Sequence, residues 1–183
     1  MKIRSTSIPL DKFIELALYD KDSGYYMKKN PFGKEGDFIT APNITRLFSE
    51  IIAIWVITFW KSIGSPKKFN LLELGAGNGE MMKVINNTLK NFPECFDTCN
   101  FIIHEKSELL INQQKRNLKS EKISWIKDIN KINSDPTLYL ANEFFDAIPI
   151  KQFFKNEETW VERFVELKNS KKVIFKEEKI NIK

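Results

Sequence analysis

The sequence predicts an α/β fold built on a parallel sheet, on three observations. Between residues 69 and 141, short apolar runs alternate with helical stretches, the rhythm of βαβ units. Directly after the first of those runs, Gly75-Ala76-Gly77-Asn78-Gly79 makes a glycine turn that opens a helix, the strand–turn–helix context in which open α/β sheets carry their sites. The chain has 183 residues, 42% apolar and 29% charged. That is a globular composition with enough length for one ordinary core, and it excludes a disordered or collagen-like chain.

The elements follow in order. Pro9 to Tyr19 predicts a short helix, with Pro9 at its first position and Leu10, Phe13, Ile14, Ala17 and Leu18 on one stripe. Asp22-Ser23-Gly24 ends it, and a loop marked by Asn30-Pro31 and Gly33 follows. Gly36 to Thr40 is expected to be extended. Asn43 is the expected N-cap of a helix from Ile44 to Ile63 that stops at Gly64. That helix is apolar nearly all round and is expected to be buried on most sides. Phe69 to Leu74 predicts a buried strand, Glu80 to Lys90 a helix, Asn100 to His104 a strand and Ser107 to Leu118 a helix. Ile123 to Ile126 and Thr137 to Ala141 complete the parallel set. Trp160 to Leu167 and Val173 to Phe175, around Asn169-Ser170, predict an antiparallel hairpin. Three segments are therefore expected: an N-terminal helical segment over 1–66, a core of alternating strands and helices over 67–150, and a hairpin extension over 151–183.

Charge and cysteine usage narrow the function classes. The net charge is +5, but Lys and Glu alternate, no long basic block occurs, and only Arg4, Arg46, Arg116 and Arg163 are arginines. No nucleic-acid partner is expected. The longest apolar stretch, Ile51 to Trp60, is broken by Thr58 and reaches about half the ~20 residues that cross a bilayer, so no membrane span is expected. Cys95 and Cys99 with a single His cannot supply the roughly four ligands of a zinc centre, and no metal site is expected. They read as small residues in or beside a loop. Without a signal-peptide or transit pattern after Met1-Lys2, a cytoplasmic compartment is expected.

The glycine turn carries an acid, Glu73, two residues before its first glycine. A phosphate loop would end in Lys-Ser or Lys-Thr, whereas this turn continues Asn78-Gly79-Glu80, and an acid at a helix start is a poor neighbour for phosphate. The dinucleotide fingerprint places its third glycine elsewhere. An acid-flanked turn of this spacing suits a nucleoside with a cationic amino-acid tail, such as S-adenosyl-L-methionine (AdoMet). Glu105 ends the next strand, 26 residues beyond Gly79, where a carboxylate can accept hydrogen bonds from a ribose diol. A nucleotide-type site is favoured over a purely structural turn, and His104 reads as a packed strand-end residue.

A third constellation, Asn142-Glu143-Phe144-Phe145-Asp146-Ala147-Ile148-Pro149, closes the fourth strand. On a helical turn Glu143 and Asp146 would share one side, able to clamp a guanidinium and take its proton. The same residues also fit a capping arrangement, with Asn142 as N-cap and the two phenylalanines in the core. By residue type the two readings stand level.

Ser23-Gly24-Tyr25-Tyr26, Gly36-Asp37-Phe38-Ile39-Thr40-Ala41-Pro42, the turn from Glu73 to Gly79, and Asn142 to Pro149 occur in this order and spacing. Together they closely resemble the MidA-like family, whose mitochondrial members are complex I assembly factors with protein-arginine methyltransferase activity. Glu105-Lys106-Ser107 with Gln113-Gln114 is similar to the family's second-strand acid and the helix after it. The resemblance implies a class I Rossmann-like methyltransferase fold: a mostly parallel sheet, flanking helices and an N-terminal helical extension. It implies AdoMet as cofactor, held by Glu73, Gly75, Ala76, Gly77 and Glu105, with Gly36, Asp37 and Thr40 lining the cleft. Glu143, Asp146 and Asn142 are implied to be catalytic and to face the acceptor.

The implied reaction is arginine methylation of a protein substrate, a complex I subunit in mitochondrial members. A mitochondrial location follows only by that analogy. The family's turn often reads GPGRG where this chain has GAGNG, which keeps the glycines. Family members are about twice as long. The C-terminal strands and the substrate-covering region are therefore expected to be missing, with the remaining half encoded separately or lost by truncation. A non-catalytic cofactor-binding assembly module, or an inactive remnant, is the alternative expectation.

Overall fold

The computed structural model describes residues 7–28, 31–33, 36–119, 122–168 and 172–179. Of the expected features, Asn30 and the hairpin turn at Asn169-Ser170 lie outside the described residues. Contacts divide the chain into two compact units, Lys29–Phe145, and Met1–Lys28 with Asp146–Lys183. This division cuts across the three segments expected from sequence. Residues 29–66 group with the parallel sheet, and residues 1–28 group with the C-terminal strands.

In the smaller unit, β1 (Ile8–Pro9) leads into α1 (Leu10–Tyr19), with Pro9 at the N-cap, one position before the expected one. The Tyr25-Tyr26-Met27 stretch forms a helical turn, α2 (Tyr25–Lys28). Tyr19 stacks on Tyr26 at 5.8 Å, and its hydroxyl donates to the Ala147 carbonyl at 2.9 Å.

The larger unit opens with α3 (Ala41–Ile44) and α4 (Arg46–Ser62). The expected single helix is broken at Thr45, whose extended backbone starts α4 and whose Oγ1 accepts from the Leu47 amide at 3.2 Å. Asn43 is therefore not the N-cap. Then come β2 (Phe69–Leu74), α5 (Glu80–Leu89), α6 (Pro93–Thr98), β3 (Cys99–His104), α7 (Glu108–Leu118), β4 (Ile123–Ile126) and β5 (Thr137–Leu140). The four strands lie in the order β4-β3-β2-β5, all parallel, with Leu71 level with Phe101 and Leu138.

The core joins alternate strand residues to the helices. Phe69, Leu71, Phe101, Ile103, Leu138 and Leu140 share one cluster with Ala53, Val56, Trp60, Met82 and Ile85. Five of the six β2 residues are buried, as expected of a strand inside a parallel sheet. Asn70 is also fully buried and spends its amide on Asn133, Thr137 and Asn100. Cys95 and Cys99 are buried free thiols, on α6 and at the head of β3 rather than in a loop.

The smaller unit closes with β6 (Phe153–Asn156), β7 (Thr159–Lys168) and β8 (Lys172–Lys179). All its pairings are antiparallel, with β7 between β8 on one side and β6 and β1 on the other. Val161 and Val165 face inward at 4% and 1% exposure. Glu162 is buried and paired with Lys151 at 2.6 Å. The expected hairpin is thus the outer part of a four-stranded sheet.

Candidate functional site

Parallel strands end on the same side of their sheet. The glycine turn after β2, Glu105 after β3 and residues 141–145 after β5 therefore share one end of the larger unit, the end where open α/β sheets bind ligands.

The turn starts with the Gly75 amide donating to the His104 carbonyl at 3.0 Å and closes with the Gly79 amide on the Ala76 carbonyl at 2.7 Å. Gly75 and Gly77 have φ of 64° and 55°, which side-chain-bearing residues adopt only under strain. Space is as restrictive as angle. A Cβ on Gly75 would stand 2.6 Å from the Phe144 ring, and one on Gly77 would stand 3.3 Å from the Phe32 ring. Ala76 is buried.

Glu73 lies under this turn at 3% exposure. Burial pushes its carboxyl up to about 8; the Met82 backbone amide opposes that and the nearby Glu105 carboxylate adds to it. Its Oε2 has no hydrogen-bond partner among the described residues. A buried acid with an unspent oxygen and no countercharge among the described residues fits a ligand that brings a cationic group.

Glu105 is 9% exposed. Its Oε1 accepts from the amides of Lys106 and Ser107, both at 2.9 Å, and its Oε2 accepts from Gln114 at 3.3 Å. Burial pushes its carboxyl upward, and the Ser107, Gln114 and Lys106 contacts pull against that. A carboxylate has about four acceptor positions, so Oε2 keeps room for a further donor such as a ribose hydroxyl. His104 is half-buried, its Nδ1 has no partner among the described residues, and burial lowers its pKa.

The segment before α4 reaches the turn through side chains. Asn43 donates to Thr40 Oγ1 at 3.0 Å and accepts from Asn78 at 2.6 Å, so Thr40 is linked to the glycine turn through two asparagines. Gly36 sits where a Cβ would strike the Pro31 carbonyl oxygen at 2.3 Å, while Asp37 is exposed. Phe32 carries this loop onto Gly77. The sequence pattern did not reveal the roles of Phe32, Asn43 and Asn78. Only Asn78 carries a signal in the turn itself, standing where a phosphate loop would turn basic.

After β5, Asn142 is half-buried and Glu143 exposed. Glu143 adopts φ of 49°, a left-handed backbone that is costly for a side-chain-bearing residue and tends to mark functional positions. The 3-10 turn begins only at Phe145 (Phe145–Ala147). The helical turn that would set Glu143 and Asp146 on one side therefore does not form, and no α-helix follows for Asn142 to cap. Asp146 is exposed and belongs to the smaller unit. Among the described residues no cluster of His, Cys, Asp and Glu could hold a metal ion, and no helix is long and apolar enough to cross a membrane.

Known proteins are similar to this chain in sequence or in fold. The family described as "Putative S-adenosyl-L-methionine-dependent methyltransferase" matches residues 51–182. The human protein arginine methyltransferase NDUFAF7, mitochondrial, is 31% identical, covering 91% of this chain and 43% of the human protein. The Xenopus laevis protein of the same name is 30% identical, covering 91% and 44%. A solved structure from Burkholderia thailandensis, bound to S-adenosyl-homocysteine, shares the fold at a TM-score of 0.78 and 22% identity, covering 97% of this chain and 47% of that one. A native crystal structure from the same organism gives a TM-score of 0.72 at 23% identity. The chain thus spans less than half the length of the curated relatives it matches. The Rossmann-like architecture expected from the sequence is the one these structures share, and the chain belongs to the family of S-adenosyl-L-methionine-dependent methyltransferases whose profile covers residues 51–182.

Proposed function

We propose that this chain binds AdoMet over its glycine turn and forms the cofactor-holding half of a protein-arginine methyltransferase. One observation carries the reading: two buried acids, Glu73 and Glu105, end adjacent parallel strands on either side of a turn that only glycine can make. Family membership and the likeness to the human mitochondrial protein arginine methyltransferase support it.

In this reading AdoMet, when bound, supplies a methyl group on a positively charged sulfur. Glu73 meets the cationic tail and Glu105 the ribose hydroxyls. The backbone of Gly75, Ala76 and Gly77 admits close approach, while Gly36, Asp37 and Thr40 form the wall on the N-terminal side. Glu143 offers two oxygens to an arginine guanidinium and takes up the proton it gives off, and Asn142 supplies a donor and an acceptor beside it. Asp146 has the acceptor-facing role implied by the family resemblance. Holding the acceptor in line and out of water accounts for most of the expected acceleration.

The acceptor is a protein, and a respiratory complex I subunit is the substrate the family resemblance favours. The two buried free thiols suit a reducing, cytoplasmic setting.

Calorimetric titration with AdoMet, then a methylation assay with and without the family's C-terminal half, tests this. Saturable binding is expected, with turnover once the second half is supplied. Glu143→Gln is expected to slow turnover about 100-fold or more while leaving AdoMet affinity within about threefold. No binding by the intact chain overturns the proposal. Binding without turnover in either mixture reduces the chain to a cofactor-binding module.

A further inference from the structure

Gln114 on α7 is fully buried. A primary amide out of water costs free energy unless its polar atoms are satisfied, and here each has a partner. Nε2 donates to the Gly77 carbonyl at 2.9 Å and to Glu105 Oε2 at 3.3 Å, and Oε1 accepts from Trp125 Nε1 at 2.9 Å. Both amide protons are thus spent on the two walls of the candidate cleft, one on the glycine turn and one on the ribose-side acid.

The orientation of this amide is fixed. The indole N–H of Trp125 can only donate, so it requires Gln114 to present its oxygen to β4 and its NH2 to the cleft. A flipped amide would set oxygen against both the Gly77 carbonyl and the Glu105 carboxylate. Glu105 Oε1 is held by two backbone amides, which leaves Oε2 as the oxygen whose direction a side chain decides. The Gln114 stem also packs at the helix start, where a Cβ on Gly79 would stand 3.4 Å from its Cγ. Shortening or flipping this side chain would therefore release the turn and the acid together.

We propose that Gln114, oriented by Trp125, is the positioning residue that sets the spacing between the Gly77 carbonyl and Glu105 Oε2, and thereby makes the cleft selective for a ligand with an intact ribose diol. The inference rests on the reading that the turn binds AdoMet, and it adds to that reading the origin of the ribose selectivity.

The test compares S-adenosyl-homocysteine with its 2′,3′-dideoxyribose analogue, by calorimetric titration of the intact chain and two variants. The intact chain is expected to prefer the diol about tenfold or more, the usual value of a hydrogen bond to a charged group. Gln114→Met, which keeps volume but donates nothing, is expected to reduce that preference to about threefold or less, the diol ligand losing more affinity than the dideoxy ligand. Trp125→Phe, which removes only the orienting donor, is expected to reduce it in the same direction by a smaller factor.

A residue that merely supports the fold would weaken both ligands equally and leave the ratio intact, and that outcome overturns the proposal. Equal affinity of the intact chain for the two ligands overturns it as well, while leaving AdoMet binding standing. Failure of the intact chain to bind either ligand overturns the underlying reading and this inference with it. If Gln114→Met does not unfold cooperatively, the ratio measured for Trp125→Phe decides.

Discussion

At Gly75 two independent constraints meet. The backbone is left-handed, at φ of 64°, and the Phe144 ring occupies the space where a Cβ would project. Gly75→Ala therefore incurs both a conformational cost and an overpacking cost, together about 2–4 kcal/mol. Denaturant unfolding would register this as a lowered midpoint with an unchanged slope. Removing the ring in Gly75→Ala/Phe144→Ala is expected to cost less than the two single changes added together, because the clash disappears while the backbone strain remains. An additive double variant would show that the ring is not what excludes the side chain. The glycines and their flanking acids could be read from sequence because a turn of this kind is a local property of the chain. The rings of Phe32 and Phe144 could not, since they reach the turn from segments far away in sequence. The left-handed Glu143 was hidden for another reason: its neighbours read equally well as a helical turn.

Among the elements, α4 shows how far residue type alone can carry an inference. Its sequence is apolar on almost every side, and burial on most sides was the natural expectation. Ala53, Val56, Ile57 and Trp60 do enter the core, yet Leu47, Ile51, Ile54 and Trp55 are 48–59% exposed. Sequence periodicity records which residues are apolar, not what covers them. Trp60 is 4% exposed, and its indole donates to the Pro66 carbonyl at 3.1 Å. Trp60→Ala is expected to cost about 3–5 kcal/mol, whereas Ile51→Gln on the outer face is expected to stay within about 0.5 kcal/mol. Paired thermal and denaturant unfolding of the two variants checks this. A large loss at Ile51 would mean that the outer face is covered in solution. The break at Thr45 and the short α6 and β6 escaped the sequence reading because each spans too few residues to establish a period. By contrast β2, β3, α5 and α7 came within about a residue of their observed ends, since each is long, regular and bounded by a turn or cap.

For the molecule as a whole, the parallel order β4-β3-β2-β5 was within reach of the sequence because βαβ connections leave few alternatives. The sheet formed by β1 with β6, β7 and β8 was not, because a two-residue strand at one end of the chain has no local sign of its partner at the other.

The buried acids give the molecule a distinctive pH response. Glu73 titrates near 8 in the fold against a usual 4.5, and Glu105 is displaced upward as well, in both cases chiefly by burial. The folded chain therefore holds protons that the unfolded chain gives up. This contribution is complete below about pH 4.5 and is lost as pH rises toward 8. His104 acts in the opposite sense, since burial lowers its pKa below the usual 6.5, so protonation at lower pH favours the unfolded chain. As pH rises past 6.5 the unfolded imidazole gives up its proton too, so its opposing contribution fades over about one further pH unit and the acids then act alone. The thiols join only at higher pH, burial having raised Cys95 to about 11 and Cys99 higher still. Stability is therefore expected to fall between pH 6.5 and 8, the range over which many proteins are most stable. Glu73→Gln removes the titrating group and should flatten that part of the curve. Urea midpoints at pH 6.5 and 8.0 for the two chains decide it, and parallel curves would place the buried proton somewhere other than Glu73. Saturating AdoMet should narrow the same interval, because a cationic tail beside Glu73 would stabilise the carboxylate and release its proton on binding.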